Sequence, residues 1–192
     1  MNLANRITIA RIFLVPVVMF FLLMHFDFWR FTINGRTTTG SEVIAALVFI
    51  IAASTDGLDG YIARKRKTVT NLGKLLDPLA DKLLVSAALI ALVEMQLVSA
   101  WMVIIIISRE FAVTGLRSIA AAEGKILAAS KIAKLKTVCQ IIGIVAIMLN
   151  NFPFSYIRFP FDQLMMYVAV IITLISGIDY FVKNKHAIHL DM

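Results

Sequence analysis

Asp56, Asp59, Asp77 and Asp81 are the residues of this chain best suited to chemistry, and apolar sequence long enough to cross a bilayer flanks them. They lie in Asp56-Gly57-Leu58-Asp59-Gly60-Tyr61-Ile62-Ala63-Arg64 and in Gly73-Lys74-Leu75-Leu76-Asp77-Pro78-Leu79-Ala80-Asp81. A carboxylate at membrane depth is costly unless it is paired, bound to a cation or facing a wet cavity, so such groups are functional candidates. Asp56, Asp59, Gly60 and Ala63 recur at i, i+3, i+4 and i+7, one face of a helix. Gly73, Asp77 and Asp81 recur at i, i+4 and i+8, again one face. Folded as an antiparallel helical hairpin turning near residues 65–72, the two stretches set Arg64 level with Gly73, Asp59 with Asp77, and Asp56 with Asp81. All four carboxylates then converge within about two turns of one end, roughly 12 Å at 1.5 Å per residue.

Four carboxylates cannot share a small pocket as bare anions, because like charges repel and raise each other's pKa. A hard divalent cation removes the conflict. An all-oxygen ligand set suits Mg²⁺, Mn²⁺ or Ca²⁺ rather than zinc, and the stretch holds no His or Cys. Four carboxylates suffice for two ions, a common arrangement for displacement at phosphorus. Gly60 and Gly73 carry no side chain, which lets a ligand or the facing backbone come close.

Together these residues resemble the signature of the CDP-alcohol phosphotransferase family. The pattern is Asp56-x-x-Asp59-Gly60-x-x-Ala63-Arg64, eight residues, then Gly73-x-x-x-Asp77-x-x-x-Asp81, with every fixed position present. The resemblance is strong over residues 54–84 and extends to the whole chain through its length and number of apolar stretches. It implies transfer of a phosphatidyl group from CDP-diacylglycerol to an alcohol, with release of CMP. It implies that Asp56, Asp59 and Asp77 hold Mg²⁺ or Mn²⁺, two ions, with Asp81 sharing one and acting as general base. Gly60, Ala63, Arg64 and Gly73 would line the nucleotide side. Asn5, Thr8 and Arg11, at i, i+3 and i+6, match a family run near the nucleotide, and Asn5 and Thr8 join the CDP-diacylglycerol site on that ground. The family also suggests a homodimer.

The elements that must position these groups follow from composition. The chain has 192 residues, 60% hydrophobic and 16% charged. Long apolar stretches separated by short polar links predict an all-α, polytopic membrane protein. The expected spans are 8–28, 41–65, 73–94, 98–122, 131–150 and 161–182, six in all, with a short interfacial helix over 2–7 and a loop over 30–40. One integral-membrane domain, 1–192, leaves no room for a soluble one. Ile12 to Met24 imitates a signal sequence, but His25-Phe26-Asp27-Phe28-Trp29 offers no small-residue cleavage site, so it is expected to stay as the first span.

Charge sets the orientation. Of the 19 Lys and Arg, all but Arg30, Arg36 and Arg158 fall on the side of the termini and the 65–72 and 123–136 links, or in the half-spans leading there. The positive-inside rule puts that side, and the acidic motif, in the cytoplasm; with the resemblance, the expected location is a bacterial cytoplasmic membrane. The net charge of +7 suits anionic headgroups or phosphorylated substrates. No other feature points to nucleic acid. The single Cys139 excludes an intrachain disulfide and reads as a small buried hydrophobe.

Arg109 and Arg117 lie eight residues apart, on nearly one helical face, and Lys134 and Lys136 follow across a short link. They are read as a phosphate site, since the planar guanidinium matches phosphate oxygens; the alternative is that Arg109 simply pairs with Glu110. Lys134-Leu135-Lys136-Thr137 also resembles a segment of glycerophosphate-using family members. The expected acceptor is therefore glycerol 3-phosphate, giving phosphatidylglycerophosphate, ahead of inositol phosphate and serine. A divalent-cation transporter is the competing class, disfavoured by the clustering of the Asp near one end and by the absence of a repeat. A prenyl-diphosphate enzyme would need separate DDxxD-like runs, which the sequence lacks.

Overall fold

In the computed structural model the backbone is described for residues 3–24, 26, 29–33, 36–66, 71–122, 124 and 131–183. Side chains are described for all of these except 3–5, 33, 56–66, 71–78, 81, 122 and 131. Six helices account for most of the chain: α1 Leu3–Leu23, α2 Gly40–Arg66, α3 Asn71–Glu94, α4 Ala100–Ala122, α5 Lys131–Met148 and α6 Phe161–Lys183. The all-α expectation holds; α2 to α6 begin and end within two residues of the expected stretches, whereas α1 begins and ends five residues before the expected span 8–28.

Two details differ. Leu3–Leu23 is one helix, so the expected interfacial helix over 2–7 is not a separate element. No glycine or proline interrupts residues 3–15, and helix once started propagates through such a run; Pro16 lies well inside it. Residues 30–39, expected as a loop, contain an antiparallel hairpin, β1 Arg30–Ile33 and β2 Arg36–Thr39. Between the strands the sequence reads Asn34-Gly35, the pair that favours a two-residue hairpin turn, and the strands are rich in β-branched Thr. Gly40 then starts α2 against Trp29, whose Nε1 would lie 2.5 Å from a Cβ at that position, so only glycine fits without a shift.

The hairpin closes one end of the bundle. Arg36 donates from Nη1 to the Ile147 carbonyl at 3.1 Å and pairs through Nη2 with the buried Glu42 at 3.3 Å. Asn150 Nδ2 returns a hydrogen bond to the Arg36 carbonyl at 3.2 Å. A cavity of about 550 Å³ there is lined by Leu23, Arg36, Glu42 and Glu94–Leu97. The C-terminal ends of α1, α3 and α5 and the N-terminal end of α2 thus meet at this end. Helices of this length carry the C-terminal ends of α2, α4 and α6 and the N-terminal ends of α3 and α5 toward the opposite one.

Packing is by apolar faces. α1 lies along α2 and α3, α5 along α6, and α6 along α4. Leu22, Phe49, Leu84, Leu89, Ile106, Ile144 and Met166 form a fully buried core toward the hairpin end. The outside is also apolar: Phe13 is 70% exposed, Trp101 74% and Ile178 65%. Among the described residues, α1 over Arg6–Leu23 and all of α6 are long and apolar enough to cross a membrane. α4 and α5 each interrupt their apolar run with three charges: Arg109, Glu110 and Arg117, and Lys131, Lys134 and Lys136.

Candidate active site

The bounds of α2 and α3 decide how the signature is carried. Asp56, Asp59, Gly60, Ala63 and Arg64 occupy the last third of α2, and Gly73, Asp77 and Asp81 the first half of α3. At 1.5 Å per residue Asp56 lies about 15 Å from the last residue of α2, and Asp81 about 15 Å from the first residue of α3. Asp59 and Asp77 lie about 11 and 9 Å from the same ends. Counted along each helix, Asp56 and Asp81 thus stand equally far from the helix ends that precede and follow the 67–70 segment, and Asp59 and Asp77 nearly so. The side chains of these eight residues, like that of Asn5, lie outside the described residues.

α1 supplies the neighbouring wall. Thr8 is fully buried and Arg11 is 1% exposed. A buried guanidinium must sit among anionic or strongly accepting groups, because an uncompensated charge in an apolar interior is destabilising by several kcal/mol, ~3–5. α1 packs against α2 and α3, the two helices that bear the aspartates.

The second cluster is described atom by atom. Arg109 of α4 reaches α6, where its Nη2 donates to Ser176 Oγ at 3.0 Å. Ser176 in turn donates to the Thr173 carbonyl at 3.1 Å, which turns a lone pair toward the arginine. Gly177 sits under the Arg109 stem: a Cβ there would lie 3.2 Å from Arg109 Cγ. Arg109 Nη1 approaches Glu110 Oε1 at 3.5 Å, and its Nε is buried without a hydrogen-bond partner among the described residues. Two turns on, Arg117 Nε donates to Tyr180 Oη at 3.3 Å, and its guanidinium carbon lies 5.3 Å from the Tyr180 ring centroid, a cation–π contact. Tyr180 is buried.

α5 adds one of its two candidate lysines. Lys136 is buried and its Nζ contacts Glu110 Oε1. Lys134, two positions earlier, is exposed, as a step of about 200° around a helix requires. The structure therefore brings Arg109, Arg117 and Lys136 to the α4–α5–α6 side and leaves Lys134 at the surface. Sequence reasoning missed Ser176, Gly177 and Tyr180, and it saw Glu110 only as a partner of Arg109, not of Lys136. The i, i+1, i+4 spacing of a Ser, a Gly and a Tyr near the end of an apolar helix was the available signal, and it is weak.

The arrangement thus has an acidic half on α2 and α3 and a cationic half on α4, α5 and α6. Against known proteins, the CDP-alcohol phosphatidyltransferase profile matches residues 1–175. The chain belongs to that family. Within the family it is similar to a Bacillus subtilis (strain 168) protein named CDP-diacylglycerol–glycerol-3-phosphate 3-phosphatidyltransferase, 52% identical over 187 residues, covering 97% of each chain. A Rickettsia typhi protein of the same name is 36% identical over 185 residues, 96% of this chain and 97% of the relative. A Mycobacterium tuberculosis relative (strain H37Rv) described as a probable phosphatidylglycerophosphate synthase is 36% identical over 179 residues, 93% of this chain and 79% of its own. The CDP-alcohol phosphatidyltransferase match spans α1 through Ile175 of α6, so the four aspartates, Arg109, Arg117 and Lys136 fall inside it, and Ser176, Gly177 and Tyr180 lie just beyond its end.

Proposed function

We propose that this chain transfers a phosphatidyl group from CDP-diacylglycerol to glycerol 3-phosphate, giving phosphatidylglycerophosphate and CMP. One observation carries the reading: a relative named for this activity aligns over 97% of both chains at 52% identity, and the chain keeps all eight fixed positions of the family signature.

The donor side belongs to α1, α2 and α3. Asp56, Asp59 and Asp77 would hold divalent cations, with Asp81 sharing one. The fit rests on the donor set, hard oxygens only, and on the equal heights of the two Asp pairs along consecutive helices. Mg²⁺ or Mn²⁺, two ions, would there offset the diphosphate charge of the donor and polarise its β-phosphorus. Asn5, Thr8, Gly60, Ala63, Arg64 and Gly73 bind the nucleotide end of CDP-diacylglycerol. Asp81 takes the proton from the acceptor hydroxyl as that oxygen bonds to the β-phosphorus and the bond to CMP breaks.

The acceptor side belongs to α4, α5 and α6. Arg109, Arg117 and Lys136 bind the phosphate of glycerol 3-phosphate, and Lys134 adds positive field at the mouth of the pocket. Arg109 retains donor capacity for this, since a guanidinium has five N–H groups and its Nε is uncommitted.

The six helices span a bacterial cytoplasmic membrane as one domain over 1–192, with both termini and the aspartates cytoplasmic. The exposed apolar residues face lipid, and the lipid donor enters sideways from the bilayer. The functional unit is a homodimer, as the family resemblance suggests.

The test is CMP release by purified protein from CDP-diacylglycerol with glycerol 3-phosphate, inositol phosphate, serine or no acceptor, with and without divalent metal. Release that requires both metal and glycerol 3-phosphate supports the reading. Release with serine or inositol phosphate instead reassigns the acceptor, and divalent-cation flux without nucleotide dependence replaces the enzyme with a transporter.

A further inference from the structure

Glu110 holds two cations with one oxygen. Its Oε1 lies 3.5 Å from Arg109 Nη1 and also contacts Lys136 Nζ, so a carboxylate oxygen from α4 bridges a guanidinium of the same helix and a buried ammonium of α5. Arg109 and Lys136 side chains are only 11% and 3% exposed, and that of Glu110 is 18% exposed, so the three charges are poorly screened by water. They sum to +1.

An anion binding Arg109 and Lys136 meets this oxygen as a competitor. We propose that Glu110 is the specificity-determining residue of the acceptor pocket, a resident carboxylate that only a dianionic phosphomonoester displaces or shares cations with efficiently. The inference rests on the acceptor reading above. A neutral alcohol offers nothing for the two cations. A monoanion that replaces Glu110 leaves one carboxylate unpaired for the one it pairs. A dianion brings a second charge and further oxygens, which can engage the buried Arg109 Nε while Glu110 keeps part of its hold. Repulsion by a fixed like charge is a common way to reject the wrong ligand.

Two features define the contacts of Glu110. Arg109 is fixed from the opposite side by Ser176, so it does not follow Glu110 if the carboxylate withdraws. Lys136 sits on a different helix from Glu110, so its contact reports the pocket and not local helix geometry.

The experiment compares wild type, Glu110→Gln, Glu110→Asp and Arg109→Ala in the full-length detergent-purified protein. It reads KM for glycerol 3-phosphate, Ki for a monoanionic glycerol phosphodiester as a competitor, and KM for CDP-diacylglycerol. For Glu110→Gln the phosphodiester Ki is expected to fall by about ten-fold or more relative to the glycerol 3-phosphate KM, the scale on which a desolvated like charge discriminates. KM for CDP-diacylglycerol should be unchanged. Glu110→Asp keeps the charge but withdraws it by one methylene, and its ratio should lie between the other two, which keeps the test open if the glutamine variant does not purify. A wild-type ratio in whichever of these variants purifies overturns the proposal. If Arg109→Ala raises KM for glycerol 3-phosphate and the ratio still does not move, only the role of Glu110 fails. If Arg109→Ala leaves that KM unchanged, the acceptor pocket itself is misplaced and this proposal falls with it.

Discussion

Arg109 and Ser176 lock α4 to α6: the arginine donates from Nη2 to the serine Oγ at 3.0 Å, and the serine proton is committed to the Thr173 carbonyl. The hydroxyl is thus an oriented acceptor for one edge of the guanidinium. Ser176→Ala removes that acceptor without changing the helix. A hydrogen bond to a charged group contributes ~1.5–3 kcal/mol, so KM for glycerol 3-phosphate should rise about ten-fold while KM for CDP-diacylglycerol stays within about two-fold. Initial rates against each substrate at saturating metal check this, and an equal rise in both would mean that Ser176 supports the bundle as a whole.

Tyr180 holds Arg117 in two ways, by its hydroxyl at 3.3 Å and by its ring face at 5.3 Å. Tyr180→Phe keeps the ring and drops the hydroxyl, and Tyr180→Leu loses both. The phenylalanine variant is expected to keep more of the affinity for glycerol 3-phosphate than the leucine variant, because the cation–π contact contributes ~0.5–2 kcal/mol by itself. Indistinguishable KM values for the two variants would assign the whole effect to the hydroxyl.

The aspartates make a different kind of prediction. Asp59→Asn and Asp77→Asn should each abolish turnover while the protein still inserts and purifies, because a shared cation site loses one of its few charged ligands. Chelation of divalent metal should silence the wild type, and readdition of Mg²⁺ or Mn²⁺ should restore it. Full activity in either variant contradicts the two-helix metal site.

The role proposed for Asp81 sets it apart. Asp81→Asn should still bind metal and CDP-diacylglycerol but lose most of kcat, since a general base is typically worth ~10²–10⁴-fold. Loss of metal affinity as severe as in Asp59→Asn, with chemistry otherwise intact, would make Asp81 a ligand and move the base elsewhere.

What the sequence made legible follows from how local the signal is. The spacing of Asp56, Asp59, Asp77 and Asp81 is written in helical periods, so the two helices that carry them could be read directly. The hairpin was legible in principle, since Asn34-Gly35 between Thr-rich segments is a turn signal, but a short polar stretch between apolar helices reads first as a loop. The continuity of α1 was hidden because Asn5 and Arg6 resemble a boundary by polarity, and polarity alone does not break a helix. The partners of the arginines were not legible. Ser176 is 67 residues from Arg109 and Tyr180 is 63 from Arg117, and no period in the sequence links positions that only the packing of α4 against α6 brings together. Lys134 and Lys136 looked alike as charges, and helix geometry separates them into one exposed and one buried side chain.

The most direct measurement uses CDP-diacylglycerol labelled in its cytidine and glycerol 3-phosphate labelled in its glycerol, in one reaction with purified protein and divalent metal. The account predicts that water-soluble labelled CMP and a lipid-soluble labelled phosphomonoester form in equal amounts, and that neither forms when metal is chelated or glycerol 3-phosphate is withheld. CMP released without transfer of the glycerol label into lipid, or lipid labelling that persists in Asp59→Asn, would contradict it.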